Sequence, residues 1–378
     1  MGKPQPLLTI DCVGLEKIAI VINANRGTKL PGIQVLRGIA ASLVVFAHYA
    51  GCFEAFSPRY SWIVSRRLGD LGNSGVDIFF VISGFIMVYT TSGKAGPSDA
   101  WVFIQRRALR IYPLYWFWTT VLLSFWATGF ALKTYHYSTL YMINSYLLIP
   151  YFNGSSFDPV LVQGWTLSFE MLFYLVFSCA LFFKFVRWKL PFLLVSFTAL
   201  FFLGGILSPD GGMRYLLTQP IIIDFLYGAL VAEIVLRLPA PRNSFYQQML
   251  PISLMCLGGI GFLYTVMIHA AISMRSIYYG IPALLIVLGA AMLRSTPCPR
   301  PLVFLGDASY SIYLTHNFSL MIFYWVFMHL HLFNWVLPDA VIVPATIITI
   351  IVCSFTYLLV ERPMTRYLLF KTKLSSSL

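Results

Sequence analysis

The sequence predicts an all-α, polytopic integral membrane protein with about ten transmembrane helices. Of its 378 residues, 58% are hydrophobic and 11% are charged, whereas soluble domains average roughly 45–50% apolar and about 25% charged residues. Ten apolar runs follow one another, each close to the ~20 residues that span a hydrocarbon core. They cover residues 33–52, 76–92, 113–131, 166–186, 191–207, 220–237, 250–270, 276–293, 309–330 and 339–360.

Basic residues predict how these helices are oriented. If the N-terminus is cytosolic, the alternate loops and the two tails on that side hold all but six of the 26 Lys and Arg residues. Cytosolic loops carry the excess of positive charge in membrane proteins, so we expect both termini in the cytosol. Residues 1–30 and 366–378 are then cytosolic tails around a transmembrane domain of residues 31–365. Segments 54–70 and 138–150 are mixed in character and fit the membrane interface.

The net charge of +12 is scattered between the apolar runs and forms no basic arm, which argues against a nucleic-acid partner. The six Cys residues stand singly, without metal-ligand or disulfide-framework spacing. We therefore expect no metal, and we expect lipid as the surrounding partner.

The first helix, "IQVLRGIAASLVVFAHYA", carries Arg37 at one end and His48 eleven residues later. On a helix the two lie within about 20° of the same face and ~16 Å apart. Arg37 alone could extend its charge to the lipid headgroups, and a lone His is often a hydrogen-bonded core residue. Together on one stripe, they favour a polar path through the protein.

Further polar residues lie at comparable depths in other helices. "GNSGVDIFFVISGF" places Asp77 near the outer end of the second helix, where a favourable helix-end charge is the simpler explanation. "IQRRALRIYPLYW" concentrates Arg106, Arg107 and Arg110 before the third helix, a pattern typical of topology or lipid contact and also suited to phosphates.

The fourth helix begins "QGWTLSFEMLFYL" and buries Glu170, a carboxylate that requires a partner at this depth. A carboxylate beside a histidine can orient the ring for proton removal from a hydroxyl, so we expect Glu170 or Asp77 to orient His48. The ninth helix, "LGDASYSIYLTH", carries Tyr310, Tyr313 and His316, which suit a substrate channel or a structural hydrogen-bond network.

These motifs, with the closing "VERP", together resemble acyltransferase family 3 of membrane-bound acyltransferases, from about residue 33 to residue 365. "GVDIFFVISGFIM" is most similar to the exopolysaccharide-production O-acetyltransferases of that family. The resemblance implies transfer of an acyl group, commonly acetyl, from cytosolic acyl-CoA to a carbohydrate hydroxyl on the far side of the inner (plasma) membrane. The acceptor would be an exopolysaccharide or another surface glycan, free or lipid-linked.

The resemblance also implies roles for particular residues. Arg37 and His48 match the essential Arg and His of the family. Arg106, Arg107 and Arg110 match its cytosolic Arg motif, and Glu170 matches its acidic position in the fourth helix. We therefore expect the arginines to bind acetyl-CoA, and His48 to act as a base or to accept the acyl group. The alternative class is a secondary transporter or exporter, although no paired repeat typical of transporters is visible.

Overall fold

The computed structural model describes residues 30–129, 136–152, 154, 156–184, 189–207, 211–238, 245–293 and 296–371. All regular secondary structure in these ranges is helical, which confirms the predicted all-α class for the described part of the chain. The α-helices are α1 (Pro31–Phe56), α2 (Trp62–Ser65), α3 (Leu71–Thr90), α4 (Pro97–Ala127), α5 (Thr139–Leu147), α6 (Gly164–Phe182), α7 (Lys189–Gly205), α8 (Gly212–Thr218), α9 (Ile222–Arg237), α10 (Phe245–Met267), α11 (Ile281–Met292), α12 (Arg300–His329), α13 (Pro338–Thr356) and α14 (Arg362–Lys371). Two π-helical segments, Ser276–Gly280 and Tyr357–Glu361, lead directly into α11 and α14.

The predicted tails lie largely outside the described residues, since 1–29 and 372–378 are not among them. Residues 366–371, predicted as part of the C-terminal tail, belong to α14. The two segments predicted for the interface contain the short helices α2 and α5.

Within the described ranges, six helical stretches are long and apolar enough to cross a membrane: Pro31–Phe56, Leu68–Thr90, Gly164–Phe182, Gly212–Arg237, Gln248–Met267 and Pro338–Lys371. The other four predicted runs fall in helices of two kinds. Lys189–Gly205 and Ser276–Met292 are apolar but shorter, whereas α4 and α12 are long but carry polar and charged side chains. Length and composition thus support six crossings, fewer than the ten that the sequence predicts.

Helix α1 packs closely along both α3 and α12, and glycines permit both contacts. A Cβ added at Gly306 of α12 would lie 1.9 Å from the backbone oxygen of Gln34. One added at Gly72 of α3 would lie 2.0 Å from the Cβ of Ala47. Because neither position has room for a side chain, the backbones of α3 and α12 approach α1 directly.

A buried ion cluster joins α3, α9 and the π-helical segment before α11. Arg275 donates to both carboxylate oxygens of Asp77, Nε to Oδ1 at 2.9 Å and Nη2 to Oδ2 at 2.8 Å. It also donates to the backbone oxygen of Asn73 at 3.1 Å. The carboxylate of Asp224, like that of Asp77, is fully buried, and its Oδ1 leaves no room for a side chain at Gly280. Asp77 therefore acts as a partner of Arg275 and fastens three helical segments together.

We expect Arg275→Met to destabilise the protein by about 3–5 kcal/mol, because it leaves two carboxylates buried without their cation. The midpoint of thermal unfolding of detergent-solubilised protein measures this loss. Asp77→Asn in the same chain should restore part of the stability, because it removes one uncompensated charge.

Arg237→Met is the matched control. Its ion pair with Glu233 lies within one helix, and the Arg237 side chain is 82% exposed, so we expect a change of at most about 1 kcal/mol. Equal unfolding midpoints for Arg275→Met and Arg237→Met would contradict a stabilising role for the cluster.

Candidate active site

A cavity lies inside the bundle between α1, α3, α4, α6 and α12. We call it the central cavity. Its apolar lining comes mainly from α3, and its polar lining comes from the other helices as well. The polar side chains that line it include Arg37, Ser83, Arg107, Arg110, Thr166, Glu170, Tyr174, Ser309, Tyr310 and Tyr313. The structure thus brings residues predicted from four separate motifs to one internal space.

Glu170 has the hydrogen-bonding partners that its depth requires. Its Oε1 accepts hydrogen bonds from the hydroxyls of Ser83, at 2.8 Å, and of Tyr174. The guanidinium of Arg107 lies over the Tyr174 ring, 5.6 Å from its centroid. Hydroxyl donors and a nearby cation therefore stabilise the carboxylate within an apolar bundle.

A second pocket adjoins the central cavity through Arg37 and Arg110, which line both. We call it the arginine pocket. It has a volume of about 560 Å³, and its charged lining residues are Arg37, Arg110, Asp307, Glu361, Arg362 and Arg366. The Ser311 hydroxyl holds Glu361 by donating to its Oε2 at 2.6 Å. Four guanidinium groups around one opening form a site suited to phosphate groups.

The three arginines predicted as one cluster do not share one environment. Arg107 and Arg110 line the central cavity, whereas Arg106 lines neither that cavity nor the arginine pocket. On a helix, consecutive residues differ by about 100° in direction, so Arg106 and Arg107 cannot face the same space. The structure therefore brings Arg107 and Arg110, but not Arg106, to the central cavity, and a role of Arg106 in donor binding stays a prediction.

His48 lies on the same unbroken helix as Arg37 and is exposed to solvent. Its Nδ1 lies 2.8 Å from the backbone oxygen of Val44. A carbonyl oxygen only accepts hydrogen bonds, so Nδ1 is the protonated nitrogen, and Nε2 keeps its lone pair in the neutral ring. The ring also packs edge-on against His316, with centroids 4.7 Å apart.

His316 separates the central cavity from a third pocket. It is 1% exposed, and its Nδ1 lies 3.2 Å from the backbone oxygen of Ile312. The buried Gln163 amide approaches its Nε2, nitrogen to nitrogen, at 3.5 Å. Just below it, the hydroxyl of Tyr313 is 2.9 Å from the hydroxyl of Thr166. A layer of hydrogen-bonded side chains thus closes this end of the central cavity.

The third pocket, which we call the His48 pocket, has a volume of about 740 Å³. His48 and Cys52 of α1 line it, together with residues of α12 that begin at Asn317. Along α12, Tyr310 and Tyr313 line the central cavity, His316 lies in the closing layer, and Asn317 opens on the His48 pocket. One pair of helices therefore runs from the arginine pocket to the His48 pocket.

The two carboxylates expected to orient His48 have other partners. Arg275 binds Asp77, and hydroxyls bind Glu170. The backbone oxygen of Val44 orients the ring instead, one helical turn earlier on the same helix. The expectation of a carboxylate partner is corrected accordingly, because a carbonyl at i−4 already fixes the protonated nitrogen.

Sequence reasoning did not single out Gln163, Asp307 or Arg366 as site residues. Gln163 and Asp307 lie inside quoted motifs, "QGWT" and "LGDASY", where their polarity beside an apolar run is the available signal. Arg366 follows Arg362 by one helical turn, so the i, i+4 spacing of two arginines after "VERP" could have indicated a shared face.

The apolar helices and the enclosed polar groups define the class, a multi-pass membrane protein with polar side chains inside its bundle. The family model for the acyltransferase domain matches residues 30–358. The chain belongs to acyltransferase family 3, and it is an acyltransferase.

Named relatives agree with this assignment. The chain is 34% identical to the exopolysaccharide production protein ExoZ of Rhizobium meliloti, over 78% of this chain and 90% of ExoZ. It is 28% identical to the acyltransferase MdmB of Streptomyces mycarofaciens over 44% of this chain and 42% of MdmB. With the O-acetyltransferase OatA of Staphylococcus aureus it shares 23% identity, over 89% of this chain and 57% of OatA. No solved structure matches the chain at a significant level.

Proposed function

We propose that the protein transfers an acyl group, preferably acetyl, from cytosolic acyl-CoA to a hydroxyl of an exopolysaccharide or another cell-surface glycan. The observation that carries this proposal is the pair of pockets at the two ends of α1 and α12. The arginine pocket suits an anionic nucleotide, whereas the His48 pocket exposes an imidazole. The relatives ExoZ and OatA, named as an exopolysaccharide production protein and an O-acetyltransferase, support the acceptor and the acyl group.

The proposed orientation places the arginine pocket on the cytosolic side of the inner membrane. The positive-inside distribution of Lys and Arg supports it, with ten crossings and both termini in the cytosol. Ten crossings are reached by adding four helices to the six long apolar ones. Lys189–Gly205 and Ser276–Met292 are apolar but shorter, and the polar side chains of α4 and α12 line an internal cavity and need not face lipid.

The donor would bind with its phosphates on the guanidinium groups of Arg37 and Arg110 and of the two arginines of α14. Its pantetheine arm would extend through the central cavity past Arg107 and Glu170. The ~16 Å along the helix between Arg37 and His48 is of the same order as an extended pantetheine arm. The thioester carbonyl would then lie near the layer formed by Tyr313 and His316.

His48 would act through its Nε2 lone pair. As the glycan hydroxyl attacks the thioester carbonyl, Nε2 takes the hydroxyl proton, a new C–O ester bond forms, the C–S bond breaks, and CoA leaves as a thiolate that recovers the proton. The same nitrogen is free to attack the carbonyl itself and pass the acyl group on. His316 would hold the His48 ring in place by its edge-on contact, and Asp77 would support the site indirectly through its ion pair with Arg275.

The central experiment compares substitutions of His48. His48→Gln keeps a hydrogen-bonding side chain but cannot accept and return a proton at neutral pH. We expect acetylated glycan per unit of folded protein to fall by about two orders of magnitude or more. His48→Ala should fall as far, with little change in yield.

His329→Gln is the matched control. His329 also places its Nδ1 near the carbonyl oxygen four residues earlier, Trp325 O at 2.9 Å, but it lies at the exposed end of α12. Its substitution should leave turnover unchanged. Near wild-type turnover of His48→Gln would overturn the catalytic role of His48.

A second experiment tests donor binding with a matched pair on one helix. Arg110→Gln should weaken acetyl-CoA binding by at least about tenfold, because it removes charge-assisted hydrogen bonds to phosphate. Arg106→Gln removes the same charge four residues away, outside the two pockets, and should have a much smaller effect. Calorimetric titration of both variants measures the difference, and equal losses would count against the donor site.

A further inference from the structure

The His48 pocket is larger than proton transfer alone requires. At about 740 Å³ it lies within the roughly 300–1,000 Å³ of pockets that bind drug-sized ligands. It also opens to solvent, which suits one segment of a longer molecule. The residues that line the pocket therefore indicate the chemistry of the ligand that binds beside His48.

Aromatic rings from several parts of the chain line this pocket. Tyr137 and Tyr141 stack on each other, with centroids 5.5 Å apart and planes 23° apart. The hydroxyl of Tyr141 donates to the backbone oxygen of Asp158 at 2.7 Å, which fixes this pair against the following loop. Tyr324 of α12 packs against Phe56 at the end of α1, 4.8 Å between centroids. Rigid aromatic rings with polar tips suit amphipathic ligands, and a sugar presents both C–H faces and hydroxyls.

The polar groups of the pocket can pair with hydroxyls. Asp158 offers carboxylate oxygens that accept hydrogen bonds, and Asn317, next to His316 on α12, offers both a donor and an acceptor. A few polar groups placed among apolar and aromatic surfaces are typical of specific small-molecule sites.

The charge of the lining separates this pocket from the arginine pocket. Among the described residues that line it, Asp158 is the one acidic residue, and none is Lys or Arg. The arginine pocket presents four guanidinium groups. An anionic sugar in the His48 pocket would meet a carboxylate without a compensating cation, at a loss of affinity.

We propose that the His48 pocket binds a neutral hexose segment of the acceptor and discriminates against uronate sugars. The rings of Tyr137 and Tyr324 hold the sugar faces, and Asp158 with Asn317 binds hydroxyls and directs another hydroxyl toward His48. This inference rests on the proposed function, because it assigns the acceptor side of the same transfer.

Binding without any acyl donor tests the inference. The purified full-length protein in detergent is titrated with two tetrasaccharides of equal length, neutral cellotetraose and anionic tetragalacturonate, and binding is followed by saturation-transfer NMR and equilibrium dialysis. We expect the neutral probe to bind at least about tenfold more tightly.

Two pairs of variants assign the selectivity to particular side chains. Asp158→Lys should shift the ratio of the two affinities at least about tenfold toward tetragalacturonate. Asp158→Asn should shift this ratio in the same direction by a smaller factor. The hydrogen bond from the Tyr141 hydroxyl to the backbone oxygen of Asp158 does not involve the Asp158 side chain, so both substitutions retain it. Tyr324→Leu should weaken binding of the neutral probe, and Tyr324→Phe, which keeps the ring, should retain most of it.

Three results would overturn the inference: equal affinities for the two probes, an unchanged ratio in Asp158→Lys, or no binding of either probe. Acetyl transfer is measured separately with acetyl-CoA. Selective binding without transfer would remove the proposed function and leave the pocket assignment standing. Transfer without selectivity would remove the assignment and leave the proposed function.

Discussion

The close contact of α1 with α12 is the constraint on which the rest of the site depends. At Gly306 the α12 backbone approaches the backbone oxygen of Gln34 so closely that a Cβ would lie 1.9 Å from it. In a lipid environment helices gain little from hydrophobic association, so such direct backbone packing is a main source of helix pairing. The contact brings the stripe that carries Arg37 and His48 against the stripe that carries Tyr310, Tyr313 and His316. The three spaces along this pair of helices then form a sequence from the arginine pocket to the His48 pocket.

Polar groups inside the bundle fall into two kinds, which their partners distinguish. Arg275 binds both carboxylate oxygens of Asp77, and two hydroxyls bind Oε1 of Glu170. Such contacts can fasten helices together. His48 is different, because the carbonyl of Val44 binds Nδ1 and leaves Nε2 toward an open pocket. We therefore interpret a polar group whose atoms are bound by protein partners as structural. A polar atom that stays available beside an open pocket is interpreted as reactive.

The sequence predicted those features that depend on one helix at a time. The helical class, the membership of acyltransferase family 3 and the placement of Arg37 and His48 on one unbroken helix all follow from local patterns. The partner of Asp77 did not, because Arg275 lies 198 residues away and nothing local connects them. The separation of Arg106 from Arg107 and Arg110 depends on how α4 is rotated in the bundle. The count of about ten spans stays a prediction. Among the described residues, six helical stretches qualify as spans by length and composition, two more helices are apolar but shorter, and α4 and α12 carry the polar residues that line the site.

The central claim is that donor and acceptor reach one site from opposite sides of the membrane. The most direct measurement uses sealed proteoliposomes whose protein orientation is fixed by protease cleavage of a tag after Leu378. Acetyl-CoA is supplied on one side and a membrane-impermeant polysaccharide on the other. The account predicts acetylated polysaccharide only when acetyl-CoA is on the side of the C-terminus and the polysaccharide is on the opposite side. Acetylation with both substrates on the same side of intact vesicles would contradict it.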